Sequence, residues 1–123
     1  MSTIKADTLS NLAGSQSVPV ATVAQGSAKA WVNFNGTGTV AIRAAFNVSS
    51  ITDNSAGDYT VNFTTAMPDT NYAVVANSWA TGGGGFLVYG KDGVLPTTSA
   101  VTFNTSSTVA FNDSVIVGVA IFR

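Results

Sequence analysis

Residues Lys29 to Arg43 read KAWVNFNGTGTVAIR. Two apolar runs flank a Gly-Thr-Gly punctuation, and glycine supplies the positive φ that tight turns between strands demand. The stretch predicts a β-hairpin, with Asn35-Gly-Thr-Gly38 as its turn. Everything downstream repeats the logic. Val40, Ile42, Ala44, Phe46 and Val48 alternate with Ala41, Arg43, Ala45 and Asn47, and Tyr59, Val61 and Phe63 alternate with Thr60, Asn62 and Thr64. A period of two residues is the mark of a strand with one buried face. Val101 and Phe103 flank Thr102, and Val109 and Phe111 flank Ala110. Turn clusters separate the runs: residues 53–57, 67–71, 81–85, 91–93 and 104–107. Seven or eight short strands at roughly ten-residue spacing, with no competing helical period, predict an all-β fold. The expected architecture is an antiparallel β-sandwich or jelly-roll-like domain over residues 29–123.

Upstream of the hairpin the texture changes. Residues 1–28 contain no aromatic residue, and all twelve Phe, Tyr and Trp follow. The leader still carries Ile4, Leu9, Leu12, Val18 and Val20, apolar side chains that a solvated linker would not need. Pro19 between two valines favours an edge or extended segment. Asp7 is a candidate cap for a short helical turn ending at Gly14. Residues 1–28 are therefore expected to form an extended docking arm, with those five residues as its contacts.

Two strands break the alternating rule. Residues 72–76 (YAVVA) and 115–122 (VIVGVAIF) are apolar on both faces. A strand apolar on both faces needs cover on both. Val115, Val117, Val119, Ile121 and Phe122 are accordingly the expected subunit interface.

Composition narrows function. The chain has 123 residues, net charge −1, and 9% charged residues against about 25% in an ordinary domain. A wet surface built from hydroxyls and amides gives little colloidal repulsion and suits a protein living in an assembly. Cysteine, histidine and glutamate are absent, so Ser-His-Asp and Cys-His sites, and zinc sites of the usual N/S type, cannot be built. The six aspartates sit in turns or the leader, which disfavours a paired-carboxylate enzyme. The stretch 53–58 (DNSAGD) lacks the spacing and late Glu of a calcium loop and reads as a hairpin turn. Gly82–Gly85 lead into a strand rather than a helix, so they are read as an adaptable turn and not a phosphate loop. No cofactor and no enzyme activity are expected. Five scattered cations exclude a phosphate-neutralising stripe, so no nucleic-acid partner is expected, and no run of 18 apolar residues predicts a membrane insertion. The first residues lack the apolar core of a signal peptide, so export by that route is not expected. Five Asn-X-Ser/Thr triplets, at Asn35, Asn47, Asn62, Asn104 and Asn112, are explained by the abundance of those residues. Trp31, Trp79 and Tyr89, with amides nearby, are candidate contacts for a host surface glycan, because aromatic faces and amides suit sugars.

Residues 26–75 resemble a segment of tail-fibre and related virion proteins of tailed bacteriophages, including those of cyanobacteria. The pieces that carry the resemblance are KAWVNFN at 29–35 with its Gly-Thr-Gly turn, FNVSSITD at 46–53, and GDYTVNF at 57–63. The ending SVIVGVAIFR is similar to the usual last strand, and STIKADTLSNLAGS to the usual start. The resemblance implies a homotrimeric component of the virion exterior, made in the host cytoplasm, whose arm docks on other virion proteins. This chain is shorter than a full fibre, and a capsid decoration protein fits its length as well.

Overall fold

The computed structural model describes residues 1–81, 87–107 and 110–123. The order along the chain is β1 (Thr8–Ser10), β2 (Ser17–Pro19), α1 (Val20–Gly26), β3 (Ala28–Asn35), β4 (Ala41–Phe46), β5 (Val48–Ser55), β6 (Asp58–Phe63), β7 (Ala73–Trp79), β8 (Leu87–Gly90), β9 (Ala100–Ser106) and β10 (Ile116–Phe122). The last eight strands form two four-stranded antiparallel sheets, β4-β3-β10-β7 and β5-β6-β9-β8. The opening stretch is β3, its turn and the start of β4. Of the two architectures expected, the sandwich is the one formed, and β3–β4, β5–β6 and β8–β9 each pair as neighbours within one sheet.

The core follows the alternation. Ala30, Val32 and Phe34 of β3 and Val117, Val119 and Ile121 of β10 point inward from the first sheet. Tyr59, Val61, Phe63, Val101 and Phe103 meet them from the second. Phe34 stands edge-on to Tyr59 at 5.3 Å between ring centres, and both approach Phe103. Edge-to-face geometry places positive ring edges against negative faces.

The second sheet's outer face is wet but internally paired. Thr60 and Thr102 hydroxyls lie 2.8 Å apart, Asn62 donates to Ser50 and Thr52, and Asn54 donates to Thr60 and Asp58. Lys91 closes the row on Asp58 at 2.6 Å.

Several expectations are corrected. The alternation from Val40 to Val48 does not lie on one face of one strand. Ala44 pairs with Asn33 and Ile42 with Phe34, so Arg43 is an extra residue, a bulge that reverses the facing. Phe46 thereby joins the outer face opposite Trp31. Asn47, with φ 53°, then breaks the run between β4 and β5. Its side chain clamps the break: Nδ2 donates to the Lys29 and Thr65 carbonyls, and Oδ1 accepts from the Thr65 N–H at 2.7 Å. Asn47→Ala loses these bonds and places a Cβ residue without a compensating amide in left-handed backbone. It is expected to cost about 2 kcal/mol, read from denaturant midpoints; a loss below about 0.5 kcal/mol would discount the clamp.

Residues 104–107 are not a turn. Asn104, Thr105 and Ser106 belong to β9 and are buried. They avoid the penalty of buried polar groups because the Asn104 amide and the Thr105 N–H both donate to the Gly57 carbonyl, and the Thr105 hydroxyl donates to the Asn112 carbonyl. Of residues 53–58, read as a hairpin turn, only Ala56 and Gly57 form it, with Gly57 at φ 66°; Asp53 to Ser55 belong to β5 and Asp58 to β6. Phe111 makes only an isolated bridge to Ser106, while Gly82–Gly85 and Val109 lie outside the described residues.

The leader is not simply extended. Residues 8–19 form a small hairpin whose turn closes through Asn11 and Gly14, so no helical turn ends at Gly14 for the Asp7 side chain to cap. After Pro19, seven residues wind into α1, which ends where the Ser27 N–H and hydroxyl both turn back to the Val23 carbonyl. Lys29 reaches back to the Ala24 carbonyl. β-Branched residues in VATVAQG hide this helix from a propensity reading. The helix buries no residue and β1 is wholly exposed.

Candidate functional site

Among the described residues, three exposed apolar regions remain once the core is closed. The first is the leader. Ile4, Leu9 and Leu12 are exposed, and Val18 and Val20 are half-buried. A two-stranded hairpin and a two-turn helix that bury nothing are marginal by themselves in water, so this region gains most from an external surface.

The second is the flank where edge strands β7 and β8 face each other. Val74 and Val94 are exposed there, while Leu87, Tyr89 and Phe111 are exposed on the neighbouring outer face of the second sheet. Between the two edges lies an open cleft of about 420 Å³, lined by Val74, Val88, Val101 and Phe103 among others, with no charged residue in its wall. Among the described residues, β7 pairs only with β10, and β8 only with β9. Each therefore presents unpaired backbone groups, and β7 carries neither the lysine nor the proline that commonly guards an edge.

The third is the outer face of the first sheet. Strand register sets its rows. Phe46, Trp31, Ala120 and Val75 lie across the four strands in one row. Ala44, Asn33, Gly118 and Asn77 form the next, and Ile116 and Trp79 pair beyond it. Trp31 is 40% exposed, Phe46 54%, Val75 58% and Trp79 54%. A shallow groove of about 300 Å³ runs between Asn33, Asn77, Trp79 and Gly118. The Arg43 guanidinium lies at its margin, donating to the Val115 carbonyl at 2.6 Å and reaching Asn33 Oδ1 at 3.5 Å.

The expected site residues sort unevenly onto these regions. Val117, Val119 and Ile121 are not interface residues: they point inward and are 0%, 4% and 1% exposed. Val115 and Phe122 are half-buried. The last strand is apolar on both faces because one packs the core while the other carries the small Gly118 and Ala120 beneath large neighbours. Trp31 and Trp79 share one face, as a glycan platform requires. Tyr89 does not join them. It lies on the second sheet, 6.5 Å from the Phe111 ring. Asn77 and Gly118 were not singled out from sequence, because only cross-strand register brings them beside Asn33. Leu87 and Leu95 were missed because isolated apolar residues in turn-rich sequence carry no period, and the alternation of Phe111 with Val109 predicts a strand residue with a buried side, whereas Phe111 is exposed.

One end of the sandwich is tied by a charged knot. The Asp113 carboxylate accepts from the Gly57 N–H at 2.8 Å and from the Tyr59 hydroxyl at 2.7 Å. Burial, reinforced by the carboxylate, pushes the Tyr59 phenol far above its usual value. At the other end Arg123 forks onto Asp69, whose carboxyl is held below the usual range by that bond first and by the Asn71 N–H second. Both arrangements pin loops to strands, and neither leaves a carboxylate facing an open cleft.

The fold defines an all-β antiparallel sandwich with a small folded leader. No protein-family model, no curated protein and no solved structure matches the chain. Among the described residues, no helix is long and apolar enough to cross a membrane.

Proposed function

We propose that this chain is a structural component of the exterior of a tailed-bacteriophage virion, a tail-fibre or capsid-decoration protein. It assembles as a homotrimer and docks on other virion proteins through residues 1–28. The observation that carries the association is the β7–β8 flank, where an apolar cleft lined by Val74, Val88 and Val94 lies between two strand edges that are open among the described residues. A patch of this kind is an interaction surface or an aggregation hazard in a free monomer. Set on a three-fold axis, the same flank of each copy meets two others and the open edges are covered in a closed ring. The low charge density agrees, since a surface shared with neighbours needs no repulsion. The phage setting and the number three rest on the resemblance of residues 26–75.

Light scattering of the full chain at micromolar concentration tests the association. A mass of three 12.5 kDa chains is expected, and a monomer overturns the trimer. Deletion of residues 1–25 is expected to leave that mass unchanged while abolishing incorporation into particles. Full incorporation of the truncated chain would remove the docking role from the leader.

A further inference from the structure

The outer face of the first sheet differs from the flank in one respect that decides what it can bind. Two carboxamides stand in the middle of its aromatic field. Asn77 makes no side-chain hydrogen bond to a described residue, and Asn33 has only the long contact from Arg43. Between them, Gly118 supplies a floor without a side chain. A Cβ there would lie 2.5 Å from Asn77 Oδ1, so the glycine is what lets the Asn77 amide lie across the strand. Trp31 and Trp79 stand at opposite corners. With strands ~4.8 Å apart and a rise of ~3.4 Å per residue, two strands and four residues separate them by about 17 Å.

A dry protein partner fits this face badly. Covering it with apolar side chains would strip water from both amides and return nothing. A hydroxyl-rich ligand fits it well. Each carboxamide offers donors and an acceptor, each sugar hydroxyl offers both in return, and the apolar face of a pyranose ring covers indole. We infer that the groove over Gly118 is a saccharide-binding site. Asn33 and Asn77 bond ring hydroxyls, and Trp31 and Trp79 are stacking platforms for different units of a neutral oligosaccharide. The spacing of the two indoles calls for more than one sugar unit, and the absence of a carboxylate or a free cation in the groove wall calls for a neutral one. The site does not depend on the virion setting. It lies on the broad face of the sandwich rather than on the β7–β8 flank, so a trimer closed through that flank leaves it open.

The chain has two tryptophans, and both belong to the site, so intrinsic fluorescence reports on it directly. The full chain is titrated with cellohexaose, chitohexaose, maltohexaose, yeast mannan and dextran. At least one is expected to shift the emission saturably below millimolar concentration. Asn77→Ala is expected to weaken that binding about tenfold, and Gly118→Ala by at least as much, with melting temperature and oligomeric mass unchanged for Asn77→Ala. No response to any of the five glycans overturns the inference. So does an emission that changes on dilution of the protein and not with glycan, since that marks the face as a contact between copies. Unaltered affinity in Asn77→Ala overturns the assignment of the amides. None of these outcomes alters the light-scattering test of the flank.

Discussion

Gly57→Ala is expected to destabilise the fold by about 3–5 kcal/mol, the largest effect expected of a Gly→Ala change among the described glycines. Two independent costs combine. Gly57 has φ 66°, and a non-glycine residue held in left-handed backbone costs on the order of 1–3 kcal/mol. A Cβ there would also lie 2.3 Å from the Thr105 carbonyl oxygen and 2.8 Å from the Asn112 nitrogen. Those are backbone atoms and cannot rotate aside, so relief requires parting the hairpin turn from β9, a strain of about 1–3 kcal/mol by analogy with overpacked cores. The displacement would also loosen the bonds that Thr105 and Asn104 donate to the Gly57 carbonyl and the one that the Gly57 N–H donates to Asp113. Urea unfolding of the purified variant measures the effect. A loss under 1 kcal/mol would mean that the turn relaxes freely and that the β5–β6 hairpin is not seated on β9.

Tyr59→Phe is expected to cost about 2–3 kcal/mol near neutral pH and to make the protein less sensitive to alkali. The hydroxyl donates to a carboxylate at 2.7 Å and lies 3.0 Å from the Gly36 carbonyl oxygen. A hydrogen bond to a charged group contributes roughly 1.5–3 kcal/mol. The sign of the pH effect follows from where the proton sits. The folded-state value is raised, by burial first and by Asp113 second, while the unfolded phenol titrates near 10. Below about pH 10 both states hold the proton and this group adds no pH dependence. Above it the unfolded chain ionises and the folded one does not, so stability falls as pH rises, by at most ~1.4 kcal/mol per pH unit per group. Tyr72, also raised by burial, contributes in the same direction. Removing the Tyr59 hydroxyl leaves that one contribution, and the slope of stability against pH above 10 should drop visibly. An unchanged slope would show that the Tyr59 phenol ionises as readily folded as unfolded.

Much of the sandwich was legible because its central strands obey a single rule. Tyr59, Val61 and Phe63 alternate with polar residues and are buried as the alternation requires, and so are Val101 and Phe103. The hairpin of residues 29–43 was legible because its glycines leave the chain few alternatives. What could not be read depends on partners distant in sequence. Arg43 becomes a bulge only when β3 fixes the register of β4. Asn104 to Ser106 look like a turn until Gly57 and Asn112 satisfy their polar atoms. The choice of inner face on β10 is invisible in eight consecutive apolar residues. The same limit governs the candidate site. Two exposed tryptophans are visible as residue types, but Asn77, Gly118 and Asn33 lie 85 residues apart at the extremes and meet only across three strands. The leader failed for another reason: its short helix has weak propensity and no apolar period to announce it.

The ladder of hydroxyls and amides on the second sheet has a consequence for the medium in which this protein works. Ions in solution weaken attractions between exposed charges over a Debye length of about 8–10 Å at physiological strength, shrinking to about 3 Å at 1 M. Thr60 to Thr102, Asn62 to Ser50 and Thr52, and Asn54 to Thr60 are contacts between neutral groups, on which such screening has almost nothing to act. Apart from the Lys91–Asp58 pair at its end, the outer face of the second sheet is thus held by forces nearly indifferent to brine or fresh water.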